Sequence, residues 1–240
     1  MDQSQIIKHT TAKSVFLHLL PGGLVGCFYF LALKPVAKIG YPSFFALLLA
    51  FALILIPFEL GFLFYQGKKK TGRFTLRGII SYLNPLPVWQ YLVWGSVIFV
   101  IVGALMTLFK PVDVFLQKNL FFWMPEMNLG LDGHYSKTIL IVTYTTAFFI
   151  NVILAPMVEE LDFRGYLLPR MKGKYAILFH SFLFAAIHVF TPWMIVARTV
   201  GFLPIIITTT RKNLYVGMIV HMLCNATGFF TGILYILKMV

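Results

Sequence analysis

Apolar runs of about twenty residues, the length a helix needs to cross the hydrocarbon core of a bilayer, recur along nearly the whole of this 240-residue chain. In hydrocarbon every backbone N–H and C=O must be satisfied internally, so such runs fold as helices or as closed barrels, and runs this long read as helices. Spans are expected at approximately 14–33, 41–65, 88–109, 138–168, 175–191, 193–210 and 213–237. The fold class that follows is all-α, a polytopic transmembrane helical bundle of about seven spans. No stretch is left that could form a separate soluble domain, so residues 1–240 read as a single integral membrane domain. Only 12% of the residues are charged, about half the fraction of an ordinary soluble domain. The apolar segment after the polar N-terminus lacks a small-residue cleavage site and reads as a retained first helix.

The net charge of +12 does not point to nucleic acid, because Lys and Arg sit in short loops beside apolar spans and form no stripe with interleaved aromatics. Orientation accounts for them better. With the N-terminus cytoplasmic, Lys8, Lys13, Lys68, Lys69, Lys70, Arg73, Arg77, Arg170, Lys172, Lys174, Arg211 and Lys212 are inside, where anionic lipid headgroups are their partners. Lys34, Lys38, Lys110, Lys118, Lys137 and Lys238 are outside, and Arg164 and Arg198 are left at membrane depth. Cys27 and Cys224, in different apolar segments, suggest no disulfide framework. Residues 110–137, with Phe121, Phe122 and Trp123 beside Lys118 and Glu126, suit the membrane interface, and residues 74–87 read the same way.

Of eight acidic residues, Glu159, Glu160 and Asp162 fall within four positions inside an apolar run. An ionisable group at membrane depth costs at least ~2.5 kcal/mol unless paired or hydrated, so such residues mark functional sites by default. On a helix Glu160 and Arg164 stand at i and i+4 and can pair, while Glu159 points about 100° away and stays free. Pro156 removes a backbone donor just upstream and frees a carbonyl, which predicts a break or tilt there.

Two further pairs occupy single helix faces: Phe184 with His188, and His221 with Asn225. Measured from Lys172, Lys174 and Lys212 at about 1.5 Å per residue, Glu159, His188, His221 and Asn225 all lie roughly 13–24 Å inward. Three helices thus bring them to comparable depth, in what reads as an intramembrane active site. Glu59 and Arg198 lie at similar depth as support or substrate-path residues, and Asp162 bonds locally or lines the cavity. His9, His18, His134 and His180 show no convergent partner in sequence, and Cys224 with His221 lacks a third group to orient a thiol dyad.

Glu159-Glu160-x-x-x-Arg164, Phe184-x-x-x-His188 and His221-x-x-x-Asn225 resemble, in order and spacing, the three motifs of the CAAX-protease and bacteriocin-processing family. That family includes type II CAAX prenyl endopeptidases and bacterial Abi proteins. The resemblance covers roughly residues 150–230, the motif-bearing core. It implies that Glu159 and His188 activate a water for attack on a peptide carbonyl, and that His221 and Asn225 stabilise the oxyanion. Glu160 and Arg164, with Phe184, are expected to hold the site together, since a paired carboxylate is a poorer base. The implied protein is an intramembrane glutamate endopeptidase needing no cofactor, in a bacterial cytoplasmic membrane. Its substrate would be a peptide or protein, with a prenylated tail and a leader-bearing precursor both open.

Other readings stand beside this one. Glu159, His188 and His221 with a water could serve as catalytic zinc ligands, although no His-Glu-x-x-His helix is present. A non-catalytic immunity or regulatory protein of the same family is a second alternative. An ion-coupled transporter is a third, disfavoured because the intramembrane charges concentrate in the second half of the chain.

Overall fold

The computed structural model describes residues 6–125, 128–130 and 135–239. Glu126 and His134 lie outside the described residues. The helices are α1 (Thr11–Lys38), α2 (Ser43–Thr71), α3 (Val88–Leu108), α4 (Lys110–Asn119), α5 (Lys137–Arg170), α6 (Ala176–Ala186), α7 (Pro192–Arg211) and α8 (Leu214–Met239). Six of them, α1, α2, α3, α5, α7 and α8, are long and apolar enough to cross a membrane. Their ends carry ordinary signals. The Thr10 hydroxyl accepts from Lys13 N at the start of α1, and Gly72, in the left-handed region at φ 76°, closes α2 by donating to Lys68 O.

The expected span at 175–191 is not one helix. Its helical part, α6, has 11 residues, about 16 Å and so roughly half of a 30 Å hydrocarbon core. After Ala186 the chain turns, with Val189 N donating to Ile187 O, and Pro192 then starts α7. Irregular backbone at membrane depth is tolerated where protein covers it. Here α1 is the cover: at Gly22 a Cβ would lie 2.6 Å from the Ile187 carbonyl oxygen, so only a bare backbone admits this approach.

The 74–87 segment also departs from expectation. Ile79 and Ile80 are buried, and Ser81 N donates to Gly165 O, so this stretch is tucked into the bundle instead of lying along the interface. Gly165 permits it, since a Cβ there would meet Ile80 Cγ2 at 2.8 Å. By contrast α4 carries exposed Phe115 and is followed by exposed Phe122 and Trp123, as an interfacial segment would be.

Most of the basic residues gather at one end of the bundle. Lys8 Nζ donates to Pro169 O at 2.7 Å, His9 N to Arg170 O at 2.8 Å, and Leu214 N to Tyr82 O at 2.8 Å. These bonds put the N-terminal segment, the loop after α2 and the α5–α6 and α7–α8 turns side by side.

His9, outside the spans, is buried beside Lys13 and Arg170. Burial first, then those two cations, push its pKa down from 6.5 to about 4. The folded state therefore holds His9 neutral. Its contribution to docking the N-terminal segment is complete above pH 6.5 and is lost as the pH falls towards 4. The protection factors of the residue 6–10 amides, after correction for the intrinsic pH dependence of exchange, should fall over that window in wild type and stay flat in His9→Phe; equal profiles would contradict the assignment.

Candidate intramembrane active site

The site is built on α5, which contains two wide-turn π segments, Phe148–Leu154 and Glu160–Leu167, around a short α stretch, Ala155–Glu159. The expected break at Pro156 does not occur; the helix runs through it by changing its hydrogen-bond register. Ala155 N–H donates to Ile150 O, an i→i−5 bond. In that register the donor for Asn151 O would be Pro156, which has no N–H, and the orphan carbonyl is taken by Asn225 Nδ2 of α8 at 2.8 Å. Proline, π bulge and asparagine thus form one device that ties α5 to α8 beside the acidic residues.

Glu160 and Arg164 form a fully buried ion pair, Nη1 to Oε1 at 3.2 Å, the i,i+4 partnership expected from sequence. The same Oε1 receives His221 Nδ1 from α8 at 2.9 Å, and the other face of that imidazole puts Nε2 3.6 Å from Glu159 Oε2. His221 therefore lies between two carboxylates, one sealed and one partly open, since the Glu159 side chain keeps 14% of its surface exposed. Nδ1–H is committed to Glu160, so donation towards Glu159 as well takes a ring carrying both protons. Gly217 makes room for this contact: a Cβ there would stand 3.0 Å from Glu160 Oε2.

His188 lies just past the end of α6, where its Nδ1 pairs with Phe184 O at 3.0 Å. A carbonyl only accepts, so Nδ1 carries the proton and the neutral ring presents an unprotonated Nε2. Phe184, fully buried, is the hub: its ring has the Arg164 guanidinium at 3.6 Å, His188 at 5.5 Å and His221 at 5.9 Å. The fully buried guanidinium gains cation–π attraction over the ring face. Glu159, His188 and Asn225 retain partial accessibility, whereas Glu160, Arg164 and Phe184 have none.

Other sequence candidates find different places. Glu59 is fully buried, with no hydrogen-bond partner for either oxygen among the described residues, within electrostatic reach of Asp162, Glu159 and Arg164. Arg198, within electrostatic reach of His188, braces the turn after it, its Nη1 donating to Thr191 Oγ1 at 2.7 Å and Thr191 O at 3.1 Å. Cys224 packs against the apolar cluster of Ile98, Val102 and Val220. His18 and His180, read as partnerless, meet each other: His18 Nε2 lies 2.8 Å from His180 Nδ1. They are 162 positions apart on α1 and α6, a separation that local spacing cannot bridge. The role of the Asn151 carbonyl was equally hidden, because a main-chain register leaves no side-chain signature.

The part of the chain that carries this geometry also has relatives. Residues 141–227 match the family model for type II CAAX prenyl endopeptidase Rce1-like proteins. No curated protein and no solved structure matches the chain. The matched segment contains Glu159, Glu160, Arg164, Phe184, His188, His221 and Asn225. Among the described residues, no group of three or more His, Cys, Asp or Glu side chains is placed so that it could hold a metal ion.

Proposed function

We propose that the chain is an intramembrane endopeptidase that hydrolyses a peptide bond with water activated by Glu159 and His188. The observation that carries this reading is the division of labour between two adjacent carboxylates. Glu160 is sealed, its Oε1 held by Arg164 and His221, while Glu159 keeps an accessible oxygen 3.6 Å from His221 Nε2. A carboxylate kept out of the ion pair and open on one side is the one able to accept a proton.

In this mechanism a water bound between Glu159 and His188 Nε2 attacks the scissile carbonyl carbon. The new C–O bond forms as one water proton passes to Glu159. Charge gathering on the carbonyl oxygen is met by the second N–H of Asn225, whose first is held by Asn151 O, and by His221 Nε2–H. Donors fixed before the reaction in a water-poor site typically supply about 3–4 kcal/mol each. Collapse of the tetrahedral intermediate breaks the C–N bond, and the proton on Glu159 goes to the leaving amine. We assign the basic end of the bundle to the cytoplasmic face, in line with the positive-inside rule.

The test is proteolysis by protein reconstituted in liposomes against membrane-anchored peptides, with and without prenyl groups. His188→Ala and Asn225→Ala should each lower kcat by about 10²–10³-fold, with KM nearly unchanged. Activity should persist in chelator. Loss with chelator and recovery with zinc would replace the Glu–His mechanism by a metal-dependent one, and full activity in both variants would remove it.

A further inference from the structure

At the basic end, about three helical turns from Glu159, a cavity of about 340 Å³ opens between the N-terminal segment, α2 and the end of α5. His9, Lys13, Lys69, Lys70 and Arg170 line it, and among the described residues no Asp or Glu does. Among the described residues none of these cations is within ion-pair distance of a carboxylate. Arg170 is 7% exposed, its guanidinium resting on the Tyr166 ring at 3.6 Å and donating to Tyr166 O at 2.7 Å. Asp162, buried and not among the lining residues, lies within its electrostatic reach. His9 is 6% exposed, and among the described residues its buried Nδ1 has no hydrogen-bond partner. Four cations gathered around a buried ring nitrogen that lacks a partner are unfavourable unless something anionic completes the site.

We propose that this cavity binds the phosphate of an anionic phospholipid headgroup. Arg170 and His9 Nδ1–H would meet the phosphate oxygens at the floor, with Lys13, Lys69 and Lys70 around the rim. The mouth favours lipid over free phosphate. Ile7 lines it and is 86% exposed, an apolar surface for an acyl chain beside cations for the headgroup. Basic pockets at the ends of transmembrane helices are suited to anionic headgroups, each Lys or Arg adding about fivefold in affinity. Bound there, a lipid would tie residues 6–13 to α5, the helix that carries Glu159. The inference is independent of the proteolytic reading.

The experiment uses the full chain in neutral detergent and follows its thermal midpoint by tryptophan fluorescence during titration with phosphatidylglycerol, phosphatidylcholine or inorganic phosphate. Phosphatidylglycerol should raise the midpoint saturably, with the other two giving little shift. The triple variant Lys13→Gln/Lys69→Gln/Lys70→Gln should bind phosphatidylglycerol on the order of a hundredfold more weakly. Lys34→Gln/Lys38→Gln/Lys118→Gln removes the same charge away from the cavity and should bind as wild type. Lys70 Nζ also donates to Gly78 O, so Lys13→Gln/Lys69→Gln is the check against a folding defect, with a loss of more than tenfold expected. Equal weakening in the distant triple variant would reduce the effect to overall charge and overturn the site. An equal shift with inorganic phosphate would overturn the lipid assignment, and unchanged affinity in the cavity variants would overturn both.

Discussion

Glu159→Ala is expected to lower kcat/KM for peptide hydrolysis by about 10³–10⁴-fold, with the protein still inserted and folded. Two features set that expectation. The Glu159 carboxylate is the accessible member of the acidic pair, and no other carboxylate can replace it, because Glu160 is enclosed by Arg164 and His221. Its own structural contact is slight, a single 3.6 Å approach to His221, longer than a hydrogen bond, so alanine should shift the thermal midpoint little. Glu159→Gln, which keeps the shape but cannot take a proton, should be nearly as inactive. The measurement is cleavage of a fluorogenic membrane-anchored peptide by matched amounts of reconstituted protein. If Glu159→Ala cleaves at the wild-type rate, the carboxylate is not the base. If it leaves a biological effect of the protein intact, that effect is not proteolysis.

Glu160→Ala should act on stability first. Arg164 is fully buried, and Glu160 is its ion-pair partner, so alanine strands a guanidinium in the bundle and removes the acceptor of His221 Nδ1. Breaking a buried pair from one side costs about 3–5 kcal/mol, a loss that a thermal melt in detergent would register as a large fall in midpoint. Replacing both partners, as in Glu160→Met/Arg164→Met, should recover much of that stability, since two desolvated charges are exchanged for apolar packing. Activity should not return with it, because His221 has lost the oxygen that fixes its ring. A Glu160→Ala protein as stable as wild type would mean the pair is not a structural clasp. Recovered activity in the double variant would show that His221 is positioned by something else.

These two adjacent acids illustrate what can and cannot be read from local spacing. That Glu160 pairs with Arg164 and Glu159 does not follows from one turn of helix, and it survives the change to π geometry at Glu160–Leu167. That His221 is shared between them required α8 to be laid against α5, with Gly217 at the contact. Pro156 was legible as a lost donor, yet its consequence differed: a register shift and a bond to Asn225 in place of a break.

Hydrophobic run length alone determined that the chain is an all-helical membrane protein, because in hydrocarbon a continuous apolar segment leaves its backbone few alternatives. Periodicity alone placed Phe184 with His188 and His221 with Asn225 on shared faces. Only the tertiary structure decided that α6 stops halfway, that His18 meets His180 and that the N-terminal segment closes a basic cavity on Arg170. Each of these depends on contacts between positions far apart in the chain. Their energies come from desolvation and close approach, which exist only once the helices are packed.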